Sequence, residues 1–323
     1  MGYHGHDVVL ANYRTRFMGN DNRKEPHTLD MTTPLKSRII KHIKTSGSLP
    51  LAEYMHWCMA DPTNGYYANQ EAIGSKGDFI TAPEISQMFG EMIGIWAVET
   101  WEVPDFLKAA EVQMIETSEK LIKSQKQTLR EYDIINWHKS IKDIPNQPTL
   151  IIANEFLDVL PVRQYVKTND EWREHAINVD ENDELVWTLG TGILDADSLP
   201  ENARNEPEGA IFEISTIREA FIANASELLK ENSGAALFID YGHTKTDFGD
   251  TVQAMRAHGF VDILAEPGMA DLTAHVDFGA LSQIAKSSGM NVKPIIKQGE
   301  FLLSKGLIER AGQTHWRCFH RHI

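Results

Sequence analysis

Apolar positions along this chain keep one rhythm up to about residue 102 and another beyond it. In the stretch TPLKSRIIKHIKTSG, Leu35, Ile39, Ile40 and Ile43 recur at helical spacing, with Thr33 and Pro34 in cap and first-turn positions and Gly47 at the far end. That pattern predicts a first packed helix. A second helix is expected from about Pro50 to Met59, stopped by the turn-forming Asp61, Pro62, Asn64 and Gly65. After a glycine-rich loop and a short extended piece, a third should start past Pro83. Its Ile85, Met88, Phe89, Met92, Ile93 and Trp96 make one broad apolar face.

From residue 112 the rhythm is that of an α/β protein. VQMIE, DIINW (Asp133 to Trp137), TLIIANEF (Thr149 to Phe156) and AALFIDYG (Ala235 to Gly242) read as strands. The last two are continuous apolar runs of the kind buried on both faces of a parallel sheet. The segment between them, RQYVKTNDEWREHAINVDENDELVWTL, alternates apolar and polar residues across polar turns, as an inserted antiparallel hairpin over 163–190 would.

Composition narrows the function. The 323 residues, 42% hydrophobic, suffice for a sizeable core, and a formal charge of -15 disfavours nonspecific binding to nucleic acid or to anionic membrane. A basic partner surface suits it better. No apolar run approaches the roughly 20 residues that span a bilayer. Two distant cysteines, Cys58 and Cys318, support neither a disulfide framework nor a thiolate zinc site. Residues 1–32 read as an extension outside the folded domain, readable as disordered; they mix Arg14, Arg16, Arg23 and Lys24 with Asp7, Asp21 and Glu25 and lack the apolar core of a secretory signal.

Chemistry-bearing residues gather in a few places. Glu116 ends the strand VQMI, where a nucleotide fold places the carboxylate that accepts both ribose hydroxyls; a glutamate at a strand end is also a common surface feature. In GDFITAPEISQMFGE, Asp78, Glu84 and Ser86 sit at a loop-to-helix junction, and Thr81 with Glu84 could equally form a capping box around Pro83. In ANEFLDVLPVRQ, Asn154 and Glu155 fall at the carboxyl end of a buried strand, where open α/β sheets bind ligands. Were a helical turn to start there, Glu155 and Asp158 would share a face and could hold a cationic group; the plainer reading is a capped turn. Asp240, Tyr241 and His243, with Asp271, Thr273, His275 and Asp277, could supply metal ligands, but the same alternation describes a solvated or hydrogen-bonded strand face, and no metal is assigned.

Taken together, YMHWCMADPTNGYY, GDFITAPEISQMFGEMIGIW, VQMIETSEKLIKSQ, ANEFLDVLPVRQ, LFIDYGH, GDTVQAMRAH, PGMADLTAHVDF and QGEFLLSKGLIER resemble the MidA family, from about Thr33 to Arg310. These are S-adenosylmethionine-dependent methyltransferases whose mitochondrial members assist assembly of respiratory complex I by methylating an arginine of one of its subunits. The resemblance implies a class I methyltransferase-like, Rossmann-type α/β fold over 33–310, with an amino-terminal helical region over 33–102 and an atypical tail over 311–323. It implies S-adenosyl-L-methionine as cofactor and a complex I subunit as protein partner, in the mitochondrial matrix of a eukaryote or the cytoplasm of a bacterium. It assigns Glu116 to the ribose, Asn154 to the cofactor end of the fourth strand, and Thr81, Pro83 and Ser86 to the loop covering the site. Glu84, Glu155 and Asp158 become the candidates for a carboxylate clamp on the guanidinium, since methyl transfer from a sulfonium is an in-line displacement helped by alignment and charge.

The family pattern also carries a strand and a GPGRGT-like loop where Glu102 here runs directly into Val103, so roughly 30 residues, about a strand, loop and helix, are missing. That strand is the central one, and its loop supplies the N–H groups around the cofactor. Past Arg310, AGQTHWRCFHRHI stands in place of a further helix and final strand. The expectation is that both losses bare neighbouring apolar faces, at a cost large against a net stability of about 5 to 15 kcal/mol. The gap reads as an isoform or damaged gene product, as an encoded segment left out of the sequence, or as a lineage member turned noncatalytic. The alternative function is accordingly a noncatalytic complex I assembly or binding protein.

Overall fold

A computed structural model of the protein describes residues 33–69, 86–101, 109–169 and 171–312 in full and 6–13 as backbone. The chain enters as strand β1 (His6–Tyr13). Helix α1 (Pro34–Ser46) starts as its sequence predicts: Thr33 Oγ1 accepts from Lys36 N at 3.0 Å, and Gly47, at φ 93°, turns the chain out. After β2 (Leu49–Pro50), α2 (Leu51–Ala60) buries Leu51, Tyr54, Met55 and Cys58 against α1's Leu35, Ile39 and Ile43. The short α3 (Tyr66–Asn69) follows the Asp61 turn, whose carboxylate accepts from the N–H groups of Thr63 and Asn64. Helix α4 (Gln87–Trp101) begins later than the pattern predicts, and Ser86 caps it by accepting from Met88 N at 3.1 Å. The capping box expected of Thr81 and Glu84, and Pro83 between them, lie outside the described residues.

Strand β3 (Val112–Ile115), α5 (Glu119–Thr128) and β4 (Ile135–His138) form a βαβ unit in which β3 and β4 pair in parallel. Next come β5 (Thr149–Asn154) and an antiparallel sheet from β6 (Arg163–Thr168), β7 (Glu171–Val179), β8 (Leu185–Ile193) and β9 (Ile211–Ile214), to which β2 adds a short rung on β7. Helix α6 (Thr216–Asn232) leads into β10 (Gly234–His243), the middle of the main sheet. Then β11 (Gln253–Arg256), β12 (Gly259–Val261) and β13 (Asp271–Thr273) make a small antiparallel sheet. The described chain closes with β14 (Val276–Asp277), α7 (Phe278–Ser287), β15 (Asn291–Val292), β16 (Ile296–Lys297) and α8 (Gln298–Ser304).

Strand β10 shows why its run is continuously apolar. Ala235, Leu237 and Ile239 meet Phe89, Met92 and Trp96 of α4 and Phe301 of α8 on one face. Ala236 and Phe238 meet Ile222, Ala225 and Leu229 of α6 and Leu281 and Ala285 of α7 on the other. Layers on both sides of a parallel sheet make this a doubly wound α/β fold. Near the strand's end Gly242 is required by β14, because a Cβ there would stand 2.0 Å from Val276 O.

One feature differs from the sequence-based expectation. Residues 6–13 are not outside the fold: β1 runs parallel to β10 from His6↔Gly234 to Tyr13↔Tyr241 and carries β15 and β16 on its other edge. A segment with no turn signal and only eight residues gave no local cue to this pairing, which is decided by a partner more than 200 residues away. The central gap, by contrast, is visible. Strand β5 pairs with β10 only, and among the described residues no hydrogen-bonded ladder joins β3 to β5. The apolar run of β5 is therefore not covered throughout, and Ile152 is 45% exposed.

Candidate functional site

The site is assembled at the carboxyl ends of β3, β5 and β10. At the first, Glu116 N donates to His138 O at 3.0 Å, extending the ladder by one residue. Its Oε1 accepts from Ser118 N at 2.8 Å, and Oε2 has a long contact of 3.5 Å from Gln125 Nε2. Ser118 in turn caps α5 through Leu121 N and donates from Oγ to Tyr67 O at 3.4 Å. Glu116 thus orders the start of α5 with one oxygen and keeps the other weakly engaged.

At the end of β5 the backbone turns sharply. Glu155 N still donates to Ile239 O at 2.9 Å, but Glu155 has φ 49°, in the left-handed region that a β-carbon disfavours. The cause lies across the sheet. Oδ2 of Asp240 accepts from the three successive N–H groups of Phe156, Leu157 and Asp158 at 3.1, 2.8 and 3.2 Å, while its Oδ1 accepts from Tyr241 N at 2.8 Å. Three N–H groups converging on one oxygen form an anion nest, and this fixes residues 155–158 as a turn. The helical turn that would have set Glu155 and Asp158 on one face does not form, because those N–H groups are spent on Asp240. The nest brings both carboxylates to the same place by another route.

Below the turn lies a buried cation. Arg218, on the first turn of α6, is 3% exposed and donates to four carbonyls: His275 O at 2.7 Å from one terminal nitrogen, and Asp158 O, Leu160 O and Ala274 O at 3.0 Å from the other. It ties the 158–160 turn to the segment between β13 and β14. Its charge opposes the surrounding acids without cancelling them. Asp158 is 6% exposed, its Oδ1 has no hydrogen-bond partner, and its carboxyl is held well above the usual range by burial and by Asp240, Asp271 and Glu155. Burial likewise pushes Asp240 up to about 6, against the pull of its N–H donors and Arg218. Tyr241 is raised by burial and by Glu155, Asp158 and Asp240. Asn154 donates to Glu155 Oε1 at 3.4 Å, while its own Oδ1 is buried without a partner.

Tyr67 connects the two halves. Its hydroxyl is raised by burial and by the charges of Asp271, Asp158 and Glu116, so the field of the ribose-type acid and that of the acid cluster overlap at this ring. Of the site residues that the resemblance assigns, the fold gathers Glu116, Asn154, Glu155 and Asp158. Ser86 is engaged as the cap of α4, and Thr81, Pro83 and Glu84 lie outside the described residues. Tyr67, Asp240, Arg218 and Asp271 complete the arrangement. Tyr67 lies in the NGYY stretch and Asp240 follows a buried strand, but nothing local says that either faces Asp158. Asp240 is 1% exposed, so the solvated reading of its segment fails there and the hydrogen-bonded one holds. Among the described residues no group of three or more His, Cys, Asp and Glu side chains is placed to hold a metal ion.

The model of a family of S-adenosyl-L-methionine-dependent methyltransferases, Methyltransf_28, matches residues 92–296. The chain belongs to this MidA-type family. Its curated relatives include the mitochondrial protein arginine methyltransferase NDUFAF7 of Mus musculus, 31% identical over 90% of this chain and 79% of that protein, and the Caenorhabditis elegans homologue, 32% identical over 87% and 78%. The human protein is 31% identical over 90% of this chain and 76% of its own length. The match to the mouse protein spans 353 residues, more than the 323 of this chain, so the relatives carry segments within the shared span that are lacking here. A Burkholderia thailandensis protein solved with S-adenosyl-homocysteine shares the fold, with a TM-score of 0.74 at 21% identity over 86% of this chain and 82% of that one. A native crystal structure of a COG1565 superfamily protein from the same organism gives 0.70 at 22% identity.

The family's cofactor is S-adenosyl-L-methionine, and the residues present fit two of its parts. The weakly engaged Oε2 of Glu116 suits a ribose hydroxyl, and the orphaned Oδ1 of Asn154 suits a donor at the end of β5. The third part, a strand and glycine-rich turn between β3 and β5, is lacking among the described residues.

Proposed function

We propose that this chain is a protein arginine N-methyltransferase of the MidA type, acting on a subunit of respiratory complex I during its assembly. The observation that carries the proposal is the cluster of carboxylates around the buried Asp158, with Glu155, Asp240 and Asp271 beside it and Arg218 opposing them. A guanidinium is the planar cation that carboxylates hold through paired hydrogen bonds, and its arrival would neutralise the cluster. The printed names of the relatives, protein arginine methyltransferases of mitochondria, support the same reading.

Bound S-adenosyl-L-methionine supplies an electrophilic methyl group on a sulfonium. Glu116 and Asn154 would hold that cofactor, with Thr81, Pro83 and Ser86 in the covering loop. Glu155 and Asp158, with Glu84 from that loop, would align the acceptor guanidinium, and Asp158 would take the proton that the nitrogen sheds on methylation. Its elevated proton affinity suits that task. Tyr67 would close the site between the two halves. Residues 33–310 would form the methyltransferase-like domain, the eukaryotic setting being the mitochondrial matrix.

A second reading has one observation in its favour: among the described residues no strand joins β3 to β5. Without a glycine loop the adenosine lacks its ring of N–H donors, so a noncatalytic assembly factor would keep the acceptor clamp and lose the donor site. Calorimetric titration with S-adenosylmethionine separates the two: binding weaker than micromolar is expected of the chain as it stands, and micromolar affinity would show that the missing loop is dispensable. Transfer of radiolabelled methyl to a complex I subunit tests the reaction itself, and its loss on Glu155→Gln tests the clamp.

A further inference from the structure

A cavity of about 740 Å³ lies between the antiparallel sheet and the amino-terminal turns of α6 and α7, with Arg218 in its wall. Its apolar part is aromatic: Tyr165 and Phe212 project from β6 and β9, and Phe248 packs on Phe212 with ring centroids 5.2 Å apart. Its polar part sets the acids Asp197, Glu213, Glu219, Asp247 and Asp277 against Arg163 and Arg218, with His243 and His275. Glu213 is already committed, since it accepts from Gln164 Nε2, Thr251 N and the Thr251 hydroxyl. Glu219 is not. It is half-buried, no hydrogen bond or ion pair reaches its carboxylate among the described residues, and burial and the neighbouring Asp277 hold its carboxyl above the usual range. Asp277 uses Oδ1 to cap α7 through Ala280 N at 2.9 Å. Arg218, in the cavity wall, spends both terminal nitrogens on four carbonyls and leaves Nε without a partner.

We infer that this cavity is a docking pocket for a lysine or arginine side chain of a basic peptide segment, distinct from the methyl-accepting position. The aliphatic stem would lie over Phe212 and Phe248, and the cationic head would pair with Glu219, beside Asp277, whose Oδ1 already has His243 Nδ1 at 3.8 Å. The chain's net charge of -15 draws a cationic segment towards it. The inference rests on the reading of this protein as one that acts on a basic protein segment, and it supplies that reading with a second point of attachment for the substrate.

The test uses the full chain and an acetylated, fluorescein-labelled octapeptide alternating lysine and glycine, which contains no arginine to methylate. Fluorescence anisotropy should show saturable binding that weakens as salt rises. Glu219→Gln should weaken it about tenfold, the loss of one charge-assisted contact. Phe248→Leu, which keeps an apolar floor but removes the aromatic face, should weaken it about threefold. No saturable binding, or equal binding by Glu219→Gln with an unchanged circular dichroism melt, would overturn the inference. Displacement by spermidine as effective as by unlabelled peptide would also overturn it, in favour of a small polyamine. Transfer of radiolabelled methyl to a complex I subunit by the same samples keeps the outcomes apart: failure of the methyltransferase reading removes methyl transfer and leaves saturable peptide binding, whereas failure here does the reverse.

Discussion

Replacing Arg218 by methionine tests the central electrostatic claim. The side chain is buried and holds four carbonyl oxygens at 2.7 to 3.0 Å. Asp158 O keeps a second donor, Ala274 N at 2.9 Å, so the loss falls mainly on Leu160, Ala274 and His275. Removing one member of a buried charged set costs about 3–5 kcal/mol, and methionine recovers part of that through packing, so about 4 kcal/mol is expected at pH 8. The cost should be smaller at pH 5. Asp240, pushed up to about 6, is charged at pH 8 and attracts Arg218 there, whereas at pH 5 it is mostly protonated and the attraction is gone. Arg218→Lys keeps the charge but not the fork, and about half the loss is expected. Urea unfolding at both pH values, read from midpoint shifts at constant slope, is the assay. A loss under about 1 kcal/mol at pH 8 would refute the structural role, and equal losses at both pH values would refute the electrostatic part.

Two further outcomes follow from the same geometry. The folded-state carboxyl of Asp158 is raised above its unfolded value, so its contribution to stability is present at low pH and lost as pH rises through the raised value. Asp158→Asn should therefore be more stable than the parent at pH 8, by roughly 1–3 kcal/mol, and show a flatter stability-pH profile by thermal melting. A less stable variant at pH 8 would mean that the charge is compensated after all. Removing residues 1–13 takes an eight-residue ladder from β10 and should lower the melting temperature by at least about 5 °C; an unchanged melt would show that β1 is dispensable.

What the sequence disclosed depended on how local each cause was. Thr33, Pro34 and Gly47 mark the ends of α1 because capping acts within four residues. The run over β10 declared a buried strand because both of its faces are covered. Of the two readings open for the turn after β5, the capped turn holds and the helical start does not, and the sequence could not choose between them because the acceptor that claims its N–H groups, Asp240, lies more than 80 residues further on. Family resemblance named Asn154, Glu155 and Asp158, but the pairing of Arg218 with carbonyls in two distant turns leaves no trace in spacing. The same holds for Tyr67, which reaches Asp158 and Asp271 only once α3 has packed beside α5.

The seat of β1 in the main sheet also bears on the order of events during synthesis. This strand leaves the ribosome more than 200 residues ahead of its partners β10, β15 and β16, which begin at residues 234, 291 and 296. Contacts so distant in the chain form slowly, and until they form the strand's backbone groups on both edges are open to pairing elsewhere. The main sheet can therefore close only after β15 and β16 have emerged. Slowed elongation would lengthen that exposed interval even though every contact of the finished fold stayed the same.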